Sequence, residues 1–148
     1  MSKKQKDFIF EDWFTITIPD TWEYAIEEDL LTICKTYNGK GVIQTSFFGR
    51  DDSEESLQET AENHLNRFLN QYDVTVEDGT YKIIEAPGYT IANASGECDE
   101  EFIKVWVFVN KEKMLLVTYI SSIKTRELST AENIVYSIQF IWIDLLGL

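Results

Sequence analysis

Val42-Ile-Gln-Thr-Ser-Phe-Phe-Gly49 is followed by the polar break Arg50-Asp-Asp-Ser-Glu-Glu55, and then by Leu57-Gln-Glu-Thr-Ala-Glu-Asn-His-Leu-Asn-Arg-Phe-Leu-Asn-Gln-Tyr72. The apolar period changes across this stretch. The first segment has the β-branched and aromatic content of a strand. In the last, Leu57, Ala61, Leu65, Phe68 and Tyr72 recur at spacings of four, four, three and four, the stripe of an amphipathic helix. Ser53 or Ser56 can cap that helix, and acids in its first turn suit the positive end of the helix dipole.

Upstream the chain reads as strands. Asp7–Glu11 and Trp13–Ile18 are short β-like runs ended by Pro19-Asp20, with Phe14, Ile16 and Ile18 on one face and Thr15 and Thr17 on the other. Trp22, Tyr24 and Ile26 alternate with Glu23 and Glu27 in the same way. Leu30–Thr36 and Val42–Gly49 flank Asn38-Gly39, a hairpin signal. Downstream, strands are expected at Val74–Asp78 and Tyr81–Ala86, around the turn signal Asp78-Gly79, and at Tyr89–Ser95, Phe102–Asn110 and Met114–Ser121. Ser129-Thr-Ala-Glu132 reads as a capping box opening a second helix, with Ala131, Ile134, Val135 and Ile138 buried and an end near Phe140. The order strands, helix, strands, helix predicts an α+β domain, an antiparallel sheet with two main helices packed on it.

At 148 residues and 44% apolar, the chain suits one domain with its own core. We expect a basic, disordered start over residues 1–6 and a single domain over 7–148. The chain carries 26 acids against 13 Lys and Arg, a net charge of −13. Setting aside Lys3, Lys4 and Lys6 leaves 10 cations against 26 acids, or −16 for the folded body. Such a surface repels polyanions and anionic lipid, which disfavours nucleic-acid and membrane-surface binding, and it steers basic partners inward. No apolar run reaches the ~20 residues that span a bilayer, so no membrane insertion is expected. The start, Met1 to Asp7, shows no signal-peptide pattern, and two isolated cysteines make no disulfide framework. A reducing, cytoplasmic setting is the expectation.

Catalytic and cofactor signatures are sparse. His64, the sole histidine, falls on the flank of the helical stripe without a nucleophile signature beside it. Cys98 sits in Glu97-Cys-Asp-Glu-Glu101, where neighbouring carboxylates disfavour a thiolate. One histidine and two distant cysteines disfavour zinc. An EF-hand count from Asp51 places Ser53, Glu55 and Glu62 at ligand positions, but Ser56 stands where the loop needs glycine. Gly39-Lys40-Gly41 is too short for a phosphate loop. No cofactor or metal site is expected.

The run Phe102–Asn110 divides into an aliphatic face, Ile103, Val105, Val107 and Val109, and a mixed face, Phe102, Lys104, Trp106 and Phe108. Val42–Phe48 has a comparable mixed side with Gln44, Ser46 and Phe48. Aromatic rings among polar groups suit interfaces, so Phe48, Trp106, Phe108 and Trp142 are candidates for a partner surface, unless a helix or the C-terminal tail covers that face. The tail Ile141–Leu148 is apolar enough to dock on its own domain or to pair two copies as a homodimer.

Three segments resemble the PsbP-like fold: Phe14-Thr-Ile-Thr-Ile-Pro-Asp-Thr-Trp22 at its opening, Val42–Phe48 leading into the helix of Leu57, and Glu132-Asn-Ile-Val-Tyr-Ser-Ile-Gln-Phe140 at its close. That fold includes a photosystem II extrinsic subunit, a Ran-binding import factor, DcrB-type proteins and chaperones of secreted effectors. The resemblance implies protein binding without a shared catalytic site, and no functional residue carries over. The leading expectation is therefore a non-enzymatic protein-binding domain with a partner that is basic in one version, either a chaperone or adaptor or an immunity-type protein. The alternative is a small carboxylate-based hydrolase or small-ligand-binding protein, which requires a deep pocket with two convergent acids.

Overall fold

A computed structural model describes residues 5–50 and 55–141. Eleven strands and two helices run through them: β1 (Gln5–Phe10), β2 (Phe14–Pro19), β3 (Trp22–Glu27), β4 (Leu30–Lys35), β5 (Gly41–Gly49), α1 (Leu57–Gln71), β6 (Thr75–Val76), β7 (Lys82–Ala86), β8 (Tyr89–Cys98), β9 (Glu101–Asn110), β10 (Lys113–Ser121), α2 (Glu127–Tyr136) and β11 (Gln139–Phe140). The α+β class and the antiparallel sheet with two helices are as the sequence predicts. β1 begins earlier than Asp7, with Gln5 and Lys6 paired to Pro19 and Ile18, so the basic start runs into the sheet.

The strands form two sheets. The larger has the order β3-β4-β5-β10-β9-β8-β6, with β7 sharing the outer edge of β8; the smaller is β1-β2-β11. All pairings are antiparallel. β6 and β7 do not pair with each other around Asp78-Gly79; each pairs with β8, as two pieces of one edge strand. Between them, the Thr80 hydroxyl receives the Ser95 N–H and donates to the Glu77 and Ser95 carbonyls, replacing the interrupted ladder. Gly96 lets β6 approach, since a Cβ there would lie 2.0 Å from the Thr75 carbonyl oxygen.

Both faces of β9 are buried. Ile103, Val105, Val107 and Val109 pack with Ala61, Leu65 and Leu69 of α1. Phe102, Trp106 and Phe108 pack with Phe14, Ile16, Ile134, Val135 and Phe140, beneath the small sheet and α2. The division of β9 into an aliphatic and an aromatic face thus holds, but the aromatic face is covered. α2 also satisfies its polar groups: Lys104 pairs with Glu132, and the Trp106 indole N–H donates to the Tyr136 hydroxyl at 3.1 Å. The mixed composition that reads as an exposed interface in sequence is the underside of a helix.

The two helices start for different reasons, one local and one tertiary. Ser56 caps α1, accepting the Glu59 N–H at 3.1 Å. α2 begins at Glu127, ahead of the expected box, so Ser129 lies inside the helix and caps nothing. Its start is set by Thr125, whose hydroxyl accepts the Glu127 N–H, and by Glu127 itself. One Glu127 oxygen accepts the Lys40 N–H, and the other accepts the Gly41 N–H and the Tyr119 hydroxyl. At the far end, the Ser137 hydroxyl accepts the Thr17 N–H and donates to the Ile134 carbonyl, tying α2 to β2.

Two stability predictions follow from local conflicts. The β8–β9 turn places Asp99 and Glu100 at φ of 52° and 68°, the left-handed region that disfavours a Glu side chain. Glu100→Gly is expected to stabilise the fold by about 1 kcal/mol in urea denaturation. The Thr45 hydroxyl is fully buried and has no hydrogen-bond partner among the described residues. Thr45→Val, which keeps the shape and removes the orphan, is expected to add about 1 kcal/mol in the same measurement.

Candidate functional site

The register of the large sheet decides which side chains share a face. Phe48 stands opposite Met114, and Met114 opposite Val109, so Phe48 belongs to the aliphatic side of β9 that α1 packs on. Trp106 and Phe108 point the other way and are fully buried, which removes both from the expected partner surface. Trp142, the fourth candidate, and the tail that follows it lie outside the described residues.

A helix with its side chains is about 10–12 Å across, and strands lie about 4.8 Å apart, so one helix covers two strands. α1 packs on β8 and β9. The same face continues over β10, β5, β4 and β3 beyond the helix, and there its side chains reach the surface. Phe48 is 48% exposed and Val42 37% exposed. Gln44 lies between them in exposed positions, Ser46, Leu116 and Ile120 are half-buried, and Glu23 and Glu27 on β3 are exposed. The result is an open half-sheet with apolar, polar and acidic patches, walled on one side by α1.

A groove of about 440 Å³ runs along that wall, lined by Phe48, Met114 and Leu116 from the sheet and by His64, Arg67, Phe68 and Tyr72 from the helix end. Among the described residues none that line it is a carboxylate. The His64 pKa is pushed below its usual value, first by burial and then by the Arg67 charge, against a smaller pull from Glu55. His64 is thus neutral at pH 7. Cys34 lies on the open face, while the Cys98 thiol donates to the Tyr72 carbonyl and is held protonated by burial and then by Asp99, Asp73 and Glu101.

A second groove, of about 920 Å³, lies between the β2–β3 corner, the β4–β5 loop and the start of α2. It contains Asp20 and Glu127, but Glu127 is occupied by two backbone N–H groups and the Tyr119 hydroxyl. Among the described residues there is no group of three or more potential metal ligands; Asp51 and Ser53 of the EF-hand count lie outside them. Among the described residues no helix is long and apolar enough to cross a membrane.

The two-sheet arrangement, with one helix on each side of the large sheet, defines an α+β domain of PsbP-like fold. It is similar to the solution structure of cyanobacterial PsbP (CyanoP) from Synechocystis, with a TM-score of 0.63 at 9% identity over 95% of this chain and 94% of that one. A mutant of the protein Mog1 matches with a TM-score of 0.61 at 10% identity, over 98% of this chain and 99% of the other. A crystal structure from Bacteroides thetaiotaomicron matches with a TM-score of 0.63 at 12% identity over 94% of this chain, which spans about half (49%) of that longer protein. No family model matches the sequence. No curated protein matches it.

The Tyr119–Glu127 contact gives a pH prediction. Burial, followed by the Glu127 hydrogen bond and charge, raises the Tyr119 pKa above its ordinary value of 10.0. The folded state therefore holds this proton more tightly than the unfolded chain does. The contribution is full below about pH 10 and is lost as pH rises through the raised folded value. Tyr119→Phe is expected to cost about 1–2 kcal/mol at pH 8 and to flatten the loss of stability above pH 10, measured by urea denaturation at each pH. Parallel alkaline slopes for the two proteins would contradict this assignment.

Proposed function

We propose that this chain is a non-enzymatic protein-binding domain, of chaperone, adaptor or immunity type, acting in the cytoplasm on a basic partner. The observation that carries the reading is the open half-sheet: a large sheet leaves Phe48 and Val42 in solvent on a face whose other half is covered by α1. An apolar patch with polar and acidic neighbours is the composition of a partner surface. The net charge of −13 favours a basic partner by steering. The resemblance to PsbP-like proteins supports protein binding in general terms, since the neighbours share the fold at low identity.

The hydrolase reading requires two convergent acids in a deep pocket. Among the described residues the groove between Phe48 and α1 is lined by no carboxylate, and Glu27, Glu28 and Asp29 on the other side of Phe48 are exposed. Of the two acids in the larger groove, Glu127 is held by the Lys40 and Gly41 N–H groups, which leaves Asp20 alone.

Affinity purification from the native cell, followed by binding measurements with the purified partner, tests the proposal. Phe48→Asp is expected to weaken that complex at least tenfold while changing the unfolding free energy by no more than about 0.5 kcal/mol, as for a surface change. Unchanged affinity of the variant, or no partner that binds in purified form at low and moderate salt, would overturn it.

A further inference from the structure

The large sheet ends in two unlike edges. At one end, β6 and β7 are short and the Thr80 bulge interrupts them. At the other, β3 is six residues long, contains neither proline nor lysine, and among the described residues no strand pairs with its outer side. Such an edge is a template for another strand.

The register fixes which backbone groups face outward. The Thr36 N–H donates to the Thr21 carbonyl at 2.9 Å, and antiparallel pairs alternate between bonded and non-bonded positions. Glu23, Ala25 and Glu27 therefore bond to β4, and Trp22, Tyr24 and Ile26 turn their N–H and C=O groups to the open edge. The side chains alternate as well. Glu23 and Glu27 lie on the open half-sheet, four residues apart; Tyr24 and Ile26, 46% and 47% exposed, lie on the opposite face.

We propose that β3 is a strand-addition site for an extended segment of a partner protein in which basic and apolar residues alternate. Its Lys or Arg side chains fall opposite Glu23 and Glu27, and its apolar side chains fall beside Tyr24 and Ile26. A second copy of this chain is a poor occupant. Paired antiparallel about Ala25 it sets Glu23 against Glu27, and each copy carries a net charge of −13. This inference rests on the protein-binding reading and names the partner's chemistry.

The probe is a labelled ten-residue peptide alternating lysine with valine, compared by fluorescence anisotropy with a peptide of five lysines followed by five valines. The alternating peptide is expected to bind at least tenfold tighter and to slow amide hydrogen exchange at Tyr24 and Ile26 at least tenfold. Ile26→Pro, which removes an outward N–H without touching the β4 ladder, is expected to weaken binding at least tenfold. The double variant Glu23→Lys, Glu27→Lys is expected to do the same, and its exposed sites keep the test valid should the proline variant not fold. Equal binding of the two peptides, or protection elsewhere than β3, overturns the proposal. So does protection of Tyr24 and Ile26 in the free chain, whether from its own termini or from self-association. Protection gathered around Phe48 instead rejects the edge site and leaves the open half-sheet standing.

Discussion

A strand buried on both faces needs a layer on each side, and β9 is such a strand. Its run Val105-Trp-Val-Phe-Val109 has no exposed position. A period-two strand normally spends one face on solvent; this one spends neither. The rest of the architecture answers that demand. The aliphatic side is covered by α1, and the aromatic side by the small sheet with α2. Because a single helix spans two strands, the first cover is too narrow for the sheet. The exposed half-face around Phe48 is the geometric remainder.

The second cover is wider but needs polar fastening, because it is assembled from chain segments far apart in sequence. Ser137 joins α2 to β2 across 120 residues, and Glu127 joins α2 to the β4–β5 loop across 86 or 87. Lys104 and Tyr136 fasten its middle. These bonds explain why polar side chains occur in the mixed face of β9 and why α2 starts where it does.

Much of the secondary structure was legible because period and turn chemistry are local. The strands of the first half, the stripe of α1 and its Ser56 cap could all be read. The Ser137-Ile-Gln-Phe140 motif could be read too, though not its task of closing the small sheet through β11. What failed was non-local. Ser129 has the spacing of a cap, but Thr125 and the contacts of Glu127 start the helix earlier. Trp106 and Phe48 look alike in composition, yet the register of β5 against β10 places them on opposite faces, and register is not visible in either strand alone. Lys104 reads in sequence as the mark of an exposed face because its partner Glu132 is supplied from another element. The groove beside Phe48 was not foreseen either: His64 read as a bystander, and only the packing of α1 brings it near Met114.

The open flank of β3 has a colloidal consequence. Where β8 is protected by a broken partner strand and a bulge, β3 presents Glu23 and Glu27 along its edge. Shape works at any ionic strength, whereas repulsion between exposed carboxylates is screened by salt, within about 8 Å at 0.15 M. Salt therefore weakens the charge barrier between two such edges and leaves the backbone template intact.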